Sequence, residues 1–273
     1  MHICLIGHGK MGQAMLAGWL ASGNNASGND NRLFSVIDPM IEANPYPGQP
    51  VTVYQSARQM ASDHRPDMVV LAVKPQMMAD VMSGAEHIGN ADTAFLSIAA
   101  GLSTERLQQM IPQSRAVLRA MPNTPAAVGQ GISALFATDD VSDSQTDLAA
   151  ELLSASGEVV RLETEEQMDA VTAVSGSGPA YVFYLVEVMA AAGEKLGLPA
   201  EMAQALARQT VIGSGGLMAA DKAPASELRQ NVTSKGGTTA AALSVLMAEE
   251  GMAALFETAL KAAHDRGVEL NKG

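Results

Sequence analysis

Cysteine is all but missing. Cys4 is the single one in 273 residues, so no internal disulfide can form, which fits a reducing compartment. Basic residues are in deficit: 17 Lys and Arg against 29 Asp and Glu leave a formal net charge of −12. That balance argues against nucleic acid or an anionic membrane as the main partner. No apolar run continues unbroken across a bilayer's width. The most apolar window, Val171 to Ala192, is interrupted by Ser175-Gly176-Ser177-Gly178-Pro179 and carries Glu187, so it reads as a buried soluble helix. The five histidines (His2, His8, His64, His87, His264) are scattered, with no metal-binding or triad spacing. His2 to Ile6 runs straight into a strand pattern with no basic n-region or long apolar h-region before it, which predicts no secretory leader and a cytoplasmic protein. What is present is 47% hydrophobic and 17% charged residues, enough for a sizeable core in one large or two ordinary domains.

The first half alternates strand and helix. Ile3-Cys4-Leu5-Ile6 reads as a buried parallel strand, Gly7-His8-Gly9-Lys10-Met11-Gly12 follows at once, and Gln13 to Ala21 reads as a helix. Strand, G-x-G-x-x-G, then helix is the dinucleotide fingerprint in the context it requires. Leu33 to Ile37 is the second strand and ends in Asp38. An acid there binds a ribose 2′-hydroxyl and favours NAD over NADP; beside Pro39 it also reads as a strand-end turn residue. The spacing exceeds the usual ~20 residues, because 23–31 is a polar, Gly/Asn-rich loop. Asn44 to Pro50 is a proline-rich loop. Further strands are expected at Val51 to Tyr54, Met68 to Val73, Ala94 to Ile98, Ala116 to Leu118, Gly131 to Phe136 and Glu158 to Leu162. Helical runs are expected at Ser56 to Ala61, Met77 to His87, Thr104 to Met110 and Gln145 to Ser154. The alternation predicts an open parallel sheet with right-handed crossovers, and ligands bind such sheets at the strand C-terminal ends. Those loops hold Lys74, which suits a phosphate or ribose or is a plain surface lysine. They also hold Asn123 and Thr124, which suit a nicotinamide amide or sit in a proline-stiffened turn.

From Thr164 onward the chain reads as helix, opened by the capping-box pattern Thr164-Glu165-Glu166-Gln167. The boundary is expected near Arg161 to Glu165. It would separate an α/β Rossmann-type dinucleotide-binding domain, 1–162, from an all-α domain, 163–273. The helices are apolar on more than one side, which predicts burial against a second copy. Gly213, Gly215 and Gly216 would be costly in an isolated helix and make sense where another helix packs close. Val232 to Ala240, Val-Thr-Ser-Lys-Gly-Gly-Thr-Thr-Ala, precedes another helical run. It reads as a Gly-Gly turn whose threonines cap the helix, or as a helix N-terminus offering N–H groups and hydroxyls to a small carboxylate.

Taken together, Gly7 to Gly12, Leu71-Ala72-Val73-Lys74-Pro75-Gln76, Arg119 to Gly131, Ser175-Gly176-Ser177-Gly178-Pro179-Ala180-Tyr181 and Val232 to Thr239 resemble pyrroline-5-carboxylate reductase across essentially the whole chain. The resemblance implies an N-terminal Rossmann domain and a C-terminal helical dimerisation domain. The implied reaction is NADPH- or NADH-dependent reduction of 1-pyrroline-5-carboxylate to L-proline, the last step of proline synthesis. Homodimers, and larger rings of dimers, occur in the family. Carried over, Gly7, Gly9, Lys10, Met11 and Gly12 would hold the pyrophosphate. Val73, Lys74, Pro75, Ala100 and Gly101 would line the coenzyme groove, with Met121, Pro122 and Asn123 near the nicotinamide. Ser56 stands roughly where the family often has an Asn. Ser234, Gly236, Gly237, Thr238 and Thr239 would bind the substrate, with Thr238 and Thr239 at the reacting group. Lys235 departs from the family's usual Pro, and coenzyme preference stays open between Asp38 and the family's common NADPH.

The chemistry suits these residues. A cyclic imine is basic enough to be substantially protonated near neutral pH, so the site needs an anchored carboxylate and a fixed hydride distance more than a strong acid. A beta-hydroxyacid dehydrogenase would place a lysine four residues past the last glycine of Ser175 to Gly178; Val182 stands there and Lys195 is far off. A non-catalytic NAD(P)-binding regulator is the other alternative, and the intact Gly-Gly-Thr-Thr stretch speaks against it.

Overall fold

A computed structural model describes residues 1–23, 32–61 and 65–272. The polar loop expected at 23–31 lies outside the described residues from 24 on, as does His64. Two compact units emerge: Met1–Gly176 together with the chain end from His264, and Ser177–Ala263.

Eight strands of the described residues form the sheet of the first unit: β1 (His2–Ile6), β2 (Leu33–Ile37), β3 (Val51–Tyr54), β4 (Met68–Leu71), β5 (Ala94–Ser97), β6 (Val117–Met121), β7 (Gly131–Ala137) and β8 (Gly157–Arg161). Their order is β3-β2-β1-β4-β5-β6-β7-β8, so the winding reverses between β1 and β4. The sheet is parallel from β3 through β6, as the alternation predicts, but β7 runs antiparallel to β6 and β8 parallel to β7. A parallel crossover needs roughly a dozen residues or more, and the 122–130 connection is shorter, so the chain can only turn back. Pairing with β7 also extends β6 to Met121, past the expected end at Leu118.

Alternate residues along each strand serve opposite faces. Ile3, Leu5, Met68 and Val70 pack beneath α1 (Lys10–Gly23). Cys4, Ile6, Val69 and Leu71 pack with buried Met78 and Met82 of α2 (Met78–Ser83) and Leu107 of α3 (Thr104–Met110). α4 (Asp143–Ser154) joins α1 on the first face: Trp19 is buried, stacks on Phe34 at 5.7 Å, and donates its indole N–H to the Leu152 carbonyl at 2.7 Å. The helix expected from Met77 to His87 stops early, where the Gly84 N–H folds back on the last carbonyls. The one expected at Ser56 to Ala61 is only a 3₁₀ turn, Ala57–Gln59.

The first unit extends beyond the expected boundary at 162. α5 (Gln167–Val171) and a π-helical turn, Thr172–Gly176, belong to it, because their contacts do. Glu165 pairs with buried Arg119 of β6, buried Met168 anchors α5, and Asp169 accepts from the Asn271 amide at 2.8 Å.

The second unit holds α6 (Gly178–Lys195), α7 (Ala200–Ala220), α8 (Ala225–Asn231), α9 (Thr238–Leu246) and the first part of α10 (Met252–Lys272). Its own core is slight: among its described residues only Ala190, Ala203 and Ala207 are buried, while Phe183, Tyr184, Val188, Ile212, Leu217 and Phe256 are exposed. A side-chain carbon added at Gly213, Gly215 or Gly216 would meet nothing within 4 Å in this chain.

Candidate active site

The site is built where the winding reverses, at the C-terminal ends of β1 and β4. The three glycines of the motif do separate jobs. Gly7 has φ +100° and its N–H donates to the Ile37 carbonyl at 2.9 Å; a Cβ there would sit 2.6 Å from the Ala72 carbonyl oxygen. At Gly12 a Cβ would lie 2.3 Å from the Gly7 carbonyl oxygen, so α1 packs directly on the turn. A Cβ at Gly9 would meet nothing within 4 Å, and the open side of that backbone is what a pyrophosphate needs for close approach. The Gln13 N–H is bonded to the Gly9 carbonyl at 2.9 Å, and the N–H groups ahead of it, at Lys10, Met11 and Gly12, open the helix toward an anion.

A cavity of about 330 Å³ continues from this turn. Met11, Val73, Lys74, Pro75, Ala100, Met121, Pro122, Asn123 and Gly176 are in its lining, which brings eight of the expected coenzyme residues together. Lys74 is the one ionisable side chain there; it is exposed and available to an anion. Apart from the Asn123 amide and the Thr124 hydroxyl the lining is otherwise apolar, without a proton donor of His, Asp or Glu type. A larger hollow of about 550 Å³ lies at the opposite, N-terminal ends of the central strands, among Asp67, Asp92 and Asp140. Those carboxylates would repel a dinucleotide, so size misleads here and the chemistry decides.

Asp38 closes the β2 end. It is half-buried and acts as the strand-end turn residue: its Oδ1 accepts the Met40 N–H at 2.8 Å, and its Oδ2 accepts the His8 N–H of the glycine loop at 2.6 Å. The His8 Nε2 pairs with the Tyr46 hydroxyl at 2.6 Å. Burial lowers the His8 pKa against the opposing pull of Asp38.

Gly101, expected in the groove, and Ser56, expected near the coenzyme, are not part of that lining. Gly101 does not line the cavity: a Cβ on it would sit 3.0 Å from the Leu270 Cβ, because the end of α10 covers that turn. Ser56 is exposed at the start of the 3₁₀ turn, its N–H directed at the Gln59 side chain at 3.3 Å. Asn123 is less free than its place suggests. Its Oδ1 accepts the Ile132 N–H at 3.0 Å and its Nδ2 donates to the Ser175 carbonyl at 3.2 Å, so it ties β7 to the π turn.

That tie, and the Arg119–Glu165 pair at 2.5 Å, escaped the sequence. Glu165 also accepts the Thr104 N–H at 2.8 Å and its hydroxyl at 2.6 Å. An arginine inside an apolar strand was the available signal, since a buried guanidinium requires a partner.

In the second unit, Ser234, Gly236, Gly237, Thr238 and Thr239 form one tight turn entering α9. The Gly237 N–H donates to the Ser234 carbonyl at 3.1 Å and Gly236 has φ +73°. The expected threonine cap is corrected: the left-handed Gly236 places Gly237 at the N-cap, so Thr238 and Thr239 become the first two helical residues. Their hydroxyls are therefore not consumed by capping.

A doubly wound sheet with a glycine turn, an exposed lysine and a largely apolar cavity at the reversal point defines a nicotinamide-dinucleotide-dependent oxidoreductase. The profile described as pyrroline-5-carboxylate reductase dimerisation matches residues 165–270, and that described as NADP oxidoreductase coenzyme F420-dependent matches 2–101. A pyrroline-5-carboxylate reductase of Haemophilus influenzae is 40% identical over 269 residues, spanning 98% of this chain and 97% of its own. The solved pyrroline-5-carboxylate reductase of Coxiella burnetii superposes with a TM-score of 0.83 at 34% identity, covering 99% of this chain and 98% of that one. The Plasmodium falciparum pyrroline carboxylate reductase, solved with NADP bound, gives 0.79 at 26% identity over 99% and 98%. The chain belongs to the pyrroline-5-carboxylate reductase family.

Proposed function

We propose that this chain reduces 1-pyrroline-5-carboxylate to L-proline with NADH or NADPH. The observation that carries the reading is the near-full-length match to reductases of that name, spanning both units. When bound, the dihydronicotinamide supplies the hydride. Gly7, Gly9 and Gly12 shape the turn for the pyrophosphate, with Lys10 and Met11 at the helix start and Lys74 as the countercharge. Met121 and Pro122 give an apolar wall that excludes water from the reducing face, and Asn123 holds that wall in place. The π turn at Thr172–Gly176 fits this use, since such turns gather at functional sites.

Substrate binding falls to the second unit. The N–H groups opening α9, with the Ser234 and Thr238 hydroxyls and the Gly236-Gly237 backbone, take the carboxylate. Thr239 hydrogen-bonds the imine nitrogen. The nitrogen arrives protonated, hydride adds to the ring carbon, and the C=N π electrons become the nitrogen lone pair. No enzyme acid enters the balance, in keeping with a lining that holds no His, Asp or Glu. The protein works in the cytoplasm as a homodimer, the unit of a larger ring of dimers; the exposed apolar side chains and uncovered glycine face of the second unit support the self-association.

Coenzyme oxidation with 1-pyrroline-5-carboxylate, run separately with NADH and NADPH, tests the reading. Turnover is expected with at least one; none with either sinks it.

A further inference from the structure

The adenosine end of the site carries an asymmetry that the reaction itself does not require. A 2′-phosphate on the coenzyme would fall at the end of β2, where the chain reads Asp38-Pro39-Met40-Ile41-Glu42. From Asp38 to Ile41 each backbone donor is spoken for or missing, the Asp38 N–H serving the Tyr54 carbonyl at 3.0 Å. Proline has no N–H, the Met40 N–H serves the Asp38 carboxylate at 2.8 Å, and the Ile41 N–H serves the Asp38 carbonyl at 3.3 Å. Between Arg32 and Arg58 the chain holds no lysine or arginine, while Asp38 and Glu42 are both acidic. The loop that follows cannot swing a cation in. Asn44 accepts the Tyr46 N–H at 2.9 Å and donates to the Val51 carbonyl at 2.9 Å, and Tyr46 is held on His8 at 2.6 Å. His8 adds no fixed positive charge, because burial favours its neutral form.

We infer that Asp38 makes this enzyme selective for NADH. Its carboxylate, fixed by the N–H groups of His8 and Met40, accepts the ribose 2′-hydroxyl and rejects a 2′-phosphate. The geometry leaves room for that role. An ionised carboxylate has about four acceptor positions, and one N–H on each oxygen leaves capacity for a ribose hydroxyl. A 2′-phosphate brings like charge to the same oxygens with no arginine fork to offset it. The inference rests on the reductase reading for its coenzyme class but not on turnover, so binding can be read alone.

The experiment is calorimetric titration of the full-length protein with NAD⁺ and with NADP⁺. Wild type is expected to bind NAD⁺ roughly tenfold or more tighter. Asp38→Ala should weaken NAD⁺ and strengthen NADP⁺, collapsing the ratio. Asp38→Asn, which keeps one of the two oxygens that hold the loop, should do the same, with its circular dichroism unchanged and its melt only slightly lowered. Asp38→Ser with Pro39→Arg should invert the preference. NADP⁺ binding as tight as NAD⁺ in wild type, or a ratio untouched in both Asp38 variants, overturns the inference while leaving the reductase reading intact. Stronger NADP⁺ binding that is lost in Arg58→Ala overturns it too and relocates the determinant to the turn after β3. Failure to bind either dinucleotide removes both readings.

Discussion

Gly176 lies against Met121: a Cβ added to Gly176 would come within 2.5 Å of the Met121 Cε. Both residues line the cavity. The contact joins the π turn to the end of β6, and it explains why a glycine stands where the chain is otherwise helical. The obstacle is the tip of a flexible side chain, so an added methyl group displaces Met121 rather than the backbone.

Gly176→Ala is therefore expected to change coenzyme binding more than stability. The Tm should fall by only a few degrees, for a cost of about 1 kcal/mol. The KM for the coenzyme should rise several-fold as Met121 turns into the cavity. Thermal melts and steady-state kinetics on one preparation separate the two. A large loss of Tm with unchanged KM would contradict the assignment of Gly176 to the cavity.

Arg119→Met leaves the Glu165 carboxylate without its guanidinium in a largely buried place, where Thr104 alone bonds it. Breaking such a pair costs about 3–5 kcal/mol, so the Tm should drop by roughly 10 °C. Arg119→Met with Glu165→Leu should recover part of that loss. Equal Tm for wild type and Arg119→Met would show that the pair does not hold β6 to the segment entering α5.

Thr239→Ala and Thr239→Val should lower kcat/KM for 1-pyrroline-5-carboxylate by roughly 10- to 100-fold, the value of a hydrogen bond to a charged group. Stability should hardly change, because Gly237 and not a threonine occupies the N-cap. Undiminished kcat/KM in both variants would remove Thr239 from the reacting group without touching the rest of the site.

Cys4 is buried in β1, and desolvation pushes its pKa up from 9.0 to about 12. The folded state therefore keeps the proton that the unfolded chain gives up. This contribution to stability is full below pH 9.0 and is lost as pH rises toward 12. A thiol reagent at mildly alkaline pH should label the native protein only at the unfolding rate, and Cys4→Ala should flatten the alkaline limb of the stability curve. Fast stoichiometric labelling of folded protein would contradict the buried placement.

Much of this was legible in the residues because the signals are local. Ile3 to Ile6 followed by three spaced glycines specify a strand, a turn and a helix within one window, and Thr104 to Met110 is bounded by its own cap at Ser103. The antiparallel return of β7 was not legible, because it depends on the length of a connection and a distant pairing partner. The tie from Asn123 to Ser175 spans 52 positions, and the His8–Tyr46 pair spans 38; neither leaves a periodic trace. At α9 the residues were legible but the cap was not, because a left-handed Gly236 puts Gly237 in that place instead of a threonine. The turn's chemistry was readable where its geometry was not.

Product analysis reads the reaction itself. Purified protein, 1-pyrroline-5-carboxylate and a limiting amount of NADH should yield L-proline in a one-to-one ratio with coenzyme oxidised. Coenzyme consumption without proline, or no consumption with NADH or NADPH, would show that the chain does not reduce this imine to proline.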